Sequence, residues 1–173
     1  MIAIYIAFLP KIQAYVDKPI LKIEFENNSP FCRLAKLTNE NIDAYHIRLR
    51  VKNIGNSIAK KCEAHLDKIT WEGFSTNWDP EKAIDPMSLH WVDSSIEQVV
   101  TLDNSTKYTR YNKYIDIPPG GYQYFDLFYT TNKGYIYLFP TDEKPRGFSF
   151  SLGIDNYTFH ITIYSENAKL TKT

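Results

Sequence analysis

Residues 45–66 constrain the fold more than any other part of the chain, because their first half alternates strictly between apolar and polar side chains. Successive side chains of an extended strand point to opposite faces, so this alternation predicts a strand with one buried face. The buried face comprises Tyr45, Ile47, Leu49 and Val51, and the opposite face carries His46, Arg48, Arg50 and Lys52. Asn53, Gly55 and Asn56 then predict a reversal of the chain, since Gly and Asn tolerate the positive φ angles of tight turns.

A second strand is predicted after this turn, and its core-facing residues are Cys62, Ala64 and Leu66. Ala59 breaks the period of two, and a β-bulge near Lys60 restores it. Together the two strands predict a hairpin. In that hairpin we expect Glu63 and Asp67 to neutralise the basic face of the first strand through cross-strand charge pairs.

Short alternating segments recur along the rest of the chain, separated by clusters of Gly, Pro and Asn. Residues 114–117 and 122–129 flank a Pro-Pro-Gly-Gly turn and predict a second hairpin. The 13 Tyr and 10 Phe residues suit pleated, half-buried surfaces. The fold prediction is all-β: an antiparallel immunoglobulin-like β-sandwich of about eight or nine strands. It carries a long irregular insertion over residues 72–88 and at most one short helix, at 81–84.

The domain organisation follows from an apolar run that begins at Ile2 and ends at Leu9. This run is too short to span a bilayer, which takes about 20 residues. It fits a buried first strand, the stub of a transmembrane helix, or a short apolar helix packed on the sandwich. We therefore divide the chain into an apolar segment (1–17), a sandwich domain (18–165) and a polar tail (166–173).

Charge and cysteine content exclude some classes of protein. Lys and Arg total 20, and Asp and Glu also total 20, so no net positive field favours nucleic acid, and we expect no nucleic-acid partner. The only two cysteines, Cys32 and Cys62, encode no disulfide framework. They form either a single bridge or two free thiols, and free Cys is commonly buried.

Catalytic and metal-binding motifs are missing from the sequence, so we predict no catalytic residues, no metal and no cofactor. His46 and His65 could face each other across the first predicted hairpin, but zinc takes three or four ligands. Four acidic residues in or shortly after the insertion follow no EF-hand spacing, and we interpret them as a charged loop. They are Asp79, Glu81, Asp85 and Asp93.

A local motif resembles a known class of surface module. Val51, Asn53, Gly55 and Ala59 match the V-x-N-x-G-x-x-x-A pattern of immunoglobulin-like sandwiches on prokaryotic surface proteins, including CARDB domains. The whole chain also resembles small uncharacterised, membrane-associated archaeal and bacterial proteins. In these, an apolar segment leads through Lys-Pro into a sandwich with Leu-His-Trp (here 89–91) and Ile-Pro-x-Gly (here 117–120). The resemblance implies a membrane-associated or extracytoplasmic β-sandwich without an assigned activity.

An excess of aromatic residues supplies the candidate binding site. Rings with a polar tip suit protein interfaces and sugar stacking. The candidate ligand-binding residues are Tyr122, Tyr124, Trp71, Trp78 and Trp91. Our first hypothesis is a non-enzymatic module for a protein or glycan partner, anchored near a membrane through the run from Ile2 to Leu9. One alternative is a carbohydrate-binding module using exposed Tyr and Trp, and a second is a hydrolase whose site is built from loops.

Overall fold

The computed structural model of the protein describes residues 17–37, 42–71, 87–93, 96–102, 106–132, 134–138, 151–152, 156–168 and 171–172. These residues contain no helix and form thirteen strands, three of them only two residues long. The strands are β1 Leu21–Glu24, β2 Cys32–Leu37, β3 Ile42–Asn53, β4 Ala59–Trp71, β5 Met87–Ser88, β6 Ile96–Leu102, β7 Thr106–Tyr111, β8 Ile115–Ile117, β9 Tyr122–Thr131, β10 Ile136–Leu138, β11 Ser151–Leu152, β12 Tyr157–Tyr164 and β13 Thr171–Lys172.

Two antiparallel sheets form the body of the protein. The first has six strands in the order β1-β3-β9-β10-β11, with β2 following β1 along the same edge of β3. The second has five strands in the order β13-β12-β4-β5, with β8 also paired to β4. A separate ribbon is made of β6 and β7. The prediction of an all-β antiparallel sandwich is confirmed.

Both predicted hairpins are wrong in their pairing. β3 belongs to the six-stranded sheet and β4 to the five-stranded sheet, so residues 54–58 cross between sheets instead of joining neighbours. Likewise β8 pairs with β4 whereas β9 pairs with β3. Alternation predicts which face of a strand is buried, but it does not specify the neighbouring strand. The same pattern fits a strand that pairs with the next one in a sheet and a strand that packs against it across the core. The predicted bulge is confirmed, because the β4–β8 register shifts between Ala59 and Cys62.

The core lies between the two sheets. Leu49 and Val51 of β3 are buried as predicted, and so are Cys62, Ala64 and Leu66 of β4. Phe128 of the first sheet stacks on Phe159 of the second, with ring centroids 5.2 Å apart. Tyr45, predicted to face the core, is instead 55% exposed, and so is Leu34, its partner on the edge strand β2.

Asn53 ties the two crossovers together. Its side-chain Oδ1 accepts hydrogen bonds from the backbone N–H groups of Ile20 (3.2 Å) and Gly55 (3.0 Å). Its Nδ2 donates to the carbonyls of Ser57 (2.7 Å) and Ile117 (2.9 Å). All four polar positions of a fully buried amide are therefore satisfied, as burial of a polar group requires.

Gly55 is required by a close approach of two backbone segments. A Cβ atom at this position would lie 2.3 Å from the carbonyl oxygen of Lys18. Val51 and Ala59 are fully buried on either side. The four specified positions of the V-x-N-x-G-x-x-x-A motif thus have packing and hydrogen-bonding roles in this crossover.

Several predictions concern residues that the structure does not describe. These are the run from Ile2 to Leu9, the short helix at 81–84 and most of the 72–88 insertion. The predicted polar tail includes β13, whose Thr171 and Lys172 pair with Ile163 and Thr162. Cys32 and Cys62 are both free thiols, the second buried.

Candidate interaction site

The five predicted ligand-binding aromatics do not form one platform. Trp91 is 0% exposed, and its indole N–H donates to the carbonyl of Lys113 at 3.0 Å, so its assignment to a binding surface is wrong. The indole is buried because residues 87–93 cross from one sheet to the other. The Leu89 N–H donates to the carbonyl of Ala64 in β4, and Trp91 forms an isolated β-bridge with Phe125 in β9. The side chain of Trp71 and all of Trp78 lie outside the described residues.

Tyr122 and Tyr124 are brought together, on the outward face of β9. They belong to a group of aromatic and charged side chains centred on one guanidinium, which we call the Arg50 cluster. Its members are Glu24, Phe25, Phe31, Arg50, Tyr122 and Tyr124.

Strand pairing positions the polar members of the Arg50 cluster. Arg50 lies directly opposite Glu24 of β1 and directly opposite Tyr124 of β9, so the three side chains form one row across the outward face. Directly opposite residues have Cβ atoms about 4.5–5.5 Å apart, which brings the charged groups of Arg50 and Glu24 into contact.

The loop between β1 and β2 adds the two phenylalanines. Phe31 is 2% exposed but does not belong to the core between the sheets. Its backbone oxygen accepts from the Arg48 N–H, and its ring packs on the outward-facing side chains of Tyr124 and Arg50. Its ring meets Phe25 edge-on at 6.1 Å and Tyr124 edge-on at 5.6 Å. Phe31 is therefore the centre of a second, smaller apolar cluster on the outside of the sheet.

The charge of Arg50 is neutralised within this cluster. Its Nη2 and Nε lie 2.7 Å and 2.9 Å from Oε2 of Glu24. The hydrogen bond from Arg50 lowers the pKa of the Glu24 carboxyl, and the same bond raises the pKa of the Arg50 guanidinium. The guanidinium carbon also lies 5.1 Å from the centre of the Phe31 ring and 5.5 Å from that of Tyr122, within the range of cation–π attraction.

The accessible part of the cluster consists of two rings. Phe25 is 50% exposed and Tyr122 is 53% exposed. The Arg50 guanidinium lies over Tyr122 and over Phe31, the ring against which Phe25 packs. Tyr122 and Tyr124 meet at 77°, with ring centroids 5.6 Å apart. The rings thus present edges and faces in different directions, instead of the coplanar surface that a flat sugar chain would need.

Arg50 is a site residue that the sequence pattern does not reveal, because the partners predicted for the basic strand face are wrong. Glu63 and Asp67 lie in the other sheet, where Glu63 accepts a hydrogen bond from Ser88 and Asp67 accepts one from Thr162. Arg48 pairs with Asp126, and Arg50 pairs with Glu24. Alternation does place Glu24 and Arg50 on outward strand faces, but nothing local shows that these strands are neighbours.

A second polar cluster joins Arg48, Asp126 and His90. Arg48 Nε lies 2.6 Å from Oδ1 of the buried Asp126, and His90 Nδ1 lies 3.6 Å from Oδ2. Burial, the largest single influence, raises the pKa of Asp126, but hydrogen bonds from His90 and Arg48 outweigh it and lower the pKa overall. Within the described residues, Nε2 of His90 is buried and has no hydrogen-bond partner.

Asp126 and His90 correspond to two of the three groups that a hydrolytic triad would use. A carboxylate beside Nδ1 can orient a histidine whose Nε2 accepts a proton from a nucleophile. Next to His65, the Asp67 carboxylate is instead shared between Nδ1 of that histidine (3.3 Å) and the hydroxyl of Thr162. In both places the carboxylate fixes the histidine, and among the described residues no hydroxyl binds the second ring nitrogen.

Predicted metal ligands are not assembled in the part of the chain that the structure describes. His46 and His65 lie in different sheets and stack or pack on Tyr129 and Tyr164, respectively. No group of three or more His, Cys, Asp or Glu residues there could hold a metal ion. Asp93 is exposed, and the remaining acidic candidates lie outside the described residues: Asp79, Glu81 and Asp85.

Comparison with known proteins gives a uniform result. No family, curated protein or solved structure matches this chain. Within the described residues, no helix has the length and apolar character needed to cross a bilayer.

Proposed function

We propose that this protein is a non-enzymatic, immunoglobulin-like β-sandwich module that binds another protein through the Arg50 cluster. One observation carries the proposal: the Arg50 guanidinium, whose charge is already balanced by Glu24, lies over the half-exposed ring of Tyr122. A second half-exposed ring, Phe25, packs edge-on against Phe31, which contacts the same guanidinium. Tyr and Arg are enriched among the few residues that dominate binding energy at protein interfaces.

Rigidity of the site supports the same proposal. Arg50 and Tyr124 lie on paired strands, and Phe31 is buried beneath them, so the exposed groups are held in place before a partner arrives. Ordering flexible side chains costs about 0.5–1.5 kcal/mol each on association, and a preorganised patch avoids part of that cost. Because Glu24 neutralises Arg50, a partner can cover the guanidinium without leaving an unpaired charge.

A photo-crosslinking experiment tests the proposal. The photoreactive residue p-benzoylphenylalanine replaces Tyr122 in one variant and Tyr164 in a control, since Tyr164 is a 43% exposed tyrosine on the other sheet. In cells, we expect position 122 but not position 164 to form an adduct with a discrete protein. Equal labelling at both positions, or none at 122, would contradict a protein-binding site here.

A substitution of Arg50 links the adduct to the cluster. Arg50→Lys retains the charge but loses the planar group that lies over Phe31 and Tyr122, so the two residues are not interchangeable here. We expect the adduct yield at position 122 to fall about tenfold or more, as for the loss of a dominant interface residue. Unfolding in urea of Arg50→Lys, compared with wild type, checks that the fold survives.

Among the candidate residues whose side chains the structure describes, the carbohydrate-binding alternative rests on the exposed ring of Tyr122, because Trp91 is buried and Tyr124 is not coplanar with Tyr122. A glycan screen read by thermal shift separates it from protein binding. A sugar that raises the melting temperature of wild type but not of Tyr122→Ala would favour the glycan as ligand.

Anchoring near a membrane through the run from Ile2 to Leu9 remains part of the proposal, and so does an extracytoplasmic location.

A further inference from the structure

Exposed isoleucines are concentrated at one end of the sandwich. Ile54 and Ile58 occupy the crossover between β3 and β4 and are 53% and 45% exposed. Ile20, 54% exposed, lies beside them, because the Ile54 N–H donates to the Ile20 carbonyl at 2.8 Å. Contact with water is unfavourable for apolar side chains. A cluster of three exposed isoleucines at the tip of a crossover therefore indicates a surface that contacts a partner.

These isoleucines are held outward by the backbone. The Asn53 side chain binds the N–H groups of Ile20 and Gly55 and the carbonyl of Ser57, which fixes both strands of the tip. The approach of Lys18 to Gly55 leaves no room for a side chain between them. The tip therefore presents its apolar side chains as rigid projections.

Charged residues surround this tip with nearly balanced signs. Lys18, Lys52 and Lys60 each lie two residues from one of the isoleucines, and Lys61 lies three residues after Ile58. The acidic neighbours are Asp17, Asp116, which accepts from the Lys61 N–H, and Glu166, 3.3 Å from the Lys61 ammonium. Lysine ammonium groups around an apolar tip suit the headgroup region of a bilayer, where long basic side chains reach lipid phosphates.

The chain reaches this same end from its apolar N-terminal run. Leu9, the last residue of that run, precedes Asp17 by only eight residues, which span at most about 28 Å when extended. The run is too short to cross a bilayer, but a short apolar segment and a rigid apolar tip can share one membrane interface. Sequence position and surface chemistry thus point to the same lipid surface.

We infer that the crossover end of the sandwich, formed by Ile20, Ile54 and Ile58, inserts into the interface of a lipid bilayer. The domain then stands on the membrane with this end down, and the exposed pair Leu34 and Tyr45 points away from it. Tyr45 precedes Ile54 by nine residues along β3, so the two ends are separated by about 30 Å. The inference does not depend on a protein partner for the Arg50 cluster.

Site-specific fluorescence in the full-length chain tests this orientation. Ile54→Cys carries an NBD label in a Cys32→Ser background, where the other cysteine, Cys62, is buried. Leu34→Cys, labelled in the same way, is the matched control, since Leu34 is 55% exposed and Ile54 is 53% exposed. The probe is a vesicle of phosphatidylcholine and phosphatidylserine (4:1) that contains a nitroxide lipid. We expect a blue shift and nitroxide quenching for the label at 54 and neither for the label at 34.

Vesicle co-sedimentation of unlabelled protein provides the second measurement. Ile54→Ser/Ile58→Ser should partition about twentyfold more weakly than wild type, because each half-exposed isoleucine still has roughly half of its transfer free energy to gain. Leu34→Ser should partition like wild type, and far-ultraviolet dichroism verifies that all variants fold. A label at 54 that stays as wet as one at 34, equal loss in both variants, or no vesicle binding by wild type would each overturn the inference. Photo-crosslinking at Tyr122 reports a protein adduct, whereas co-sedimentation with pure lipid vesicles involves no second protein, so either result can fail while the other succeeds.

Discussion

Asn53→Asp changes one buried side chain without changing its shape. The retained Oδ1 can still accept from the N–H groups of Ile20 and Gly55. The second atom, however, becomes an oxygen that faces the carbonyls of Ser57 and Ile117, at the positions where Nδ2 donates over 2.7 Å and 2.9 Å. Two hydrogen bonds are replaced by two contacts between acceptors.

The magnitude follows from those two contacts. A buried acceptor left without its donor costs about 1–3 kcal/mol, so two of them lower the free energy of unfolding by about 2–6 kcal/mol at pH 7. That is a large share of the roughly 5–15 kcal/mol that stabilises a typical domain. Burial and the facing carbonyls raise the pKa of the new carboxyl in the folded state above the unfolded value of about 3.9.

The raised pKa gives the substitution a pH signature. The folded state holds the proton more tightly, so the deficit is smallest near pH 4, where the protonated acid can donate to one of the two carbonyls. The deficit then grows as pH rises. Urea unfolding is followed by tryptophan fluorescence, to which the buried Trp91 contributes.

Asn56→Asp is the matched control, because it makes the same chemical change at an exposed position of the same crossover. We expect it to stay within about 0.5 kcal/mol of wild type. Asn53→Asp within about 1 kcal/mol of wild type at pH 7 would refute the reasoning, and so would an equal deficit at pH 4 and pH 7.

Two further predictions concern ionisable groups. Because the pKa of Asp126 is lowered in the folded state, its contribution to stability is present above the unfolded pKa of about 3.8 and is lost as pH falls below that value. Acid should therefore lower the melting temperature of wild type more steeply than that of Asp126→Asn. Parallel curves of melting temperature against pH would contradict this prediction. Burial raises the pKa of the Cys62 thiol to about 11. At pH 8, Ellman's reagent should therefore react only with Cys32 in the native protein and with both thiols in guanidinium. Two rapidly reacting thiols in the native protein would contradict this prediction.

The predicted binding residues show where sequence reasoning stops. Tyr122 is exposed as expected, but Trp91 is buried, because nothing near it in sequence indicates that residues 87–93 bridge the two sheets. Phe31 is the centre of an apolar cluster outside the main core, and no local sequence pattern indicates this. Its burial depends on Arg50 and Tyr124, which are 19 and 93 residues away in the chain.

Alternation along β3 and β4 determined by itself that these segments are strands with one buried face, and Leu49, Val51 and Leu66 are buried accordingly. Such a pattern reports which side of a strand meets apolar surroundings, which is a local property of side-chain direction. Only the tertiary structure decided that β3 and β4 belong to different sheets, that Arg50 binds Glu24, and that three isoleucines share one end of the molecule. Those facts depend on strand pairing between distant segments, where backbone hydrogen bonds are identical for every candidate partner.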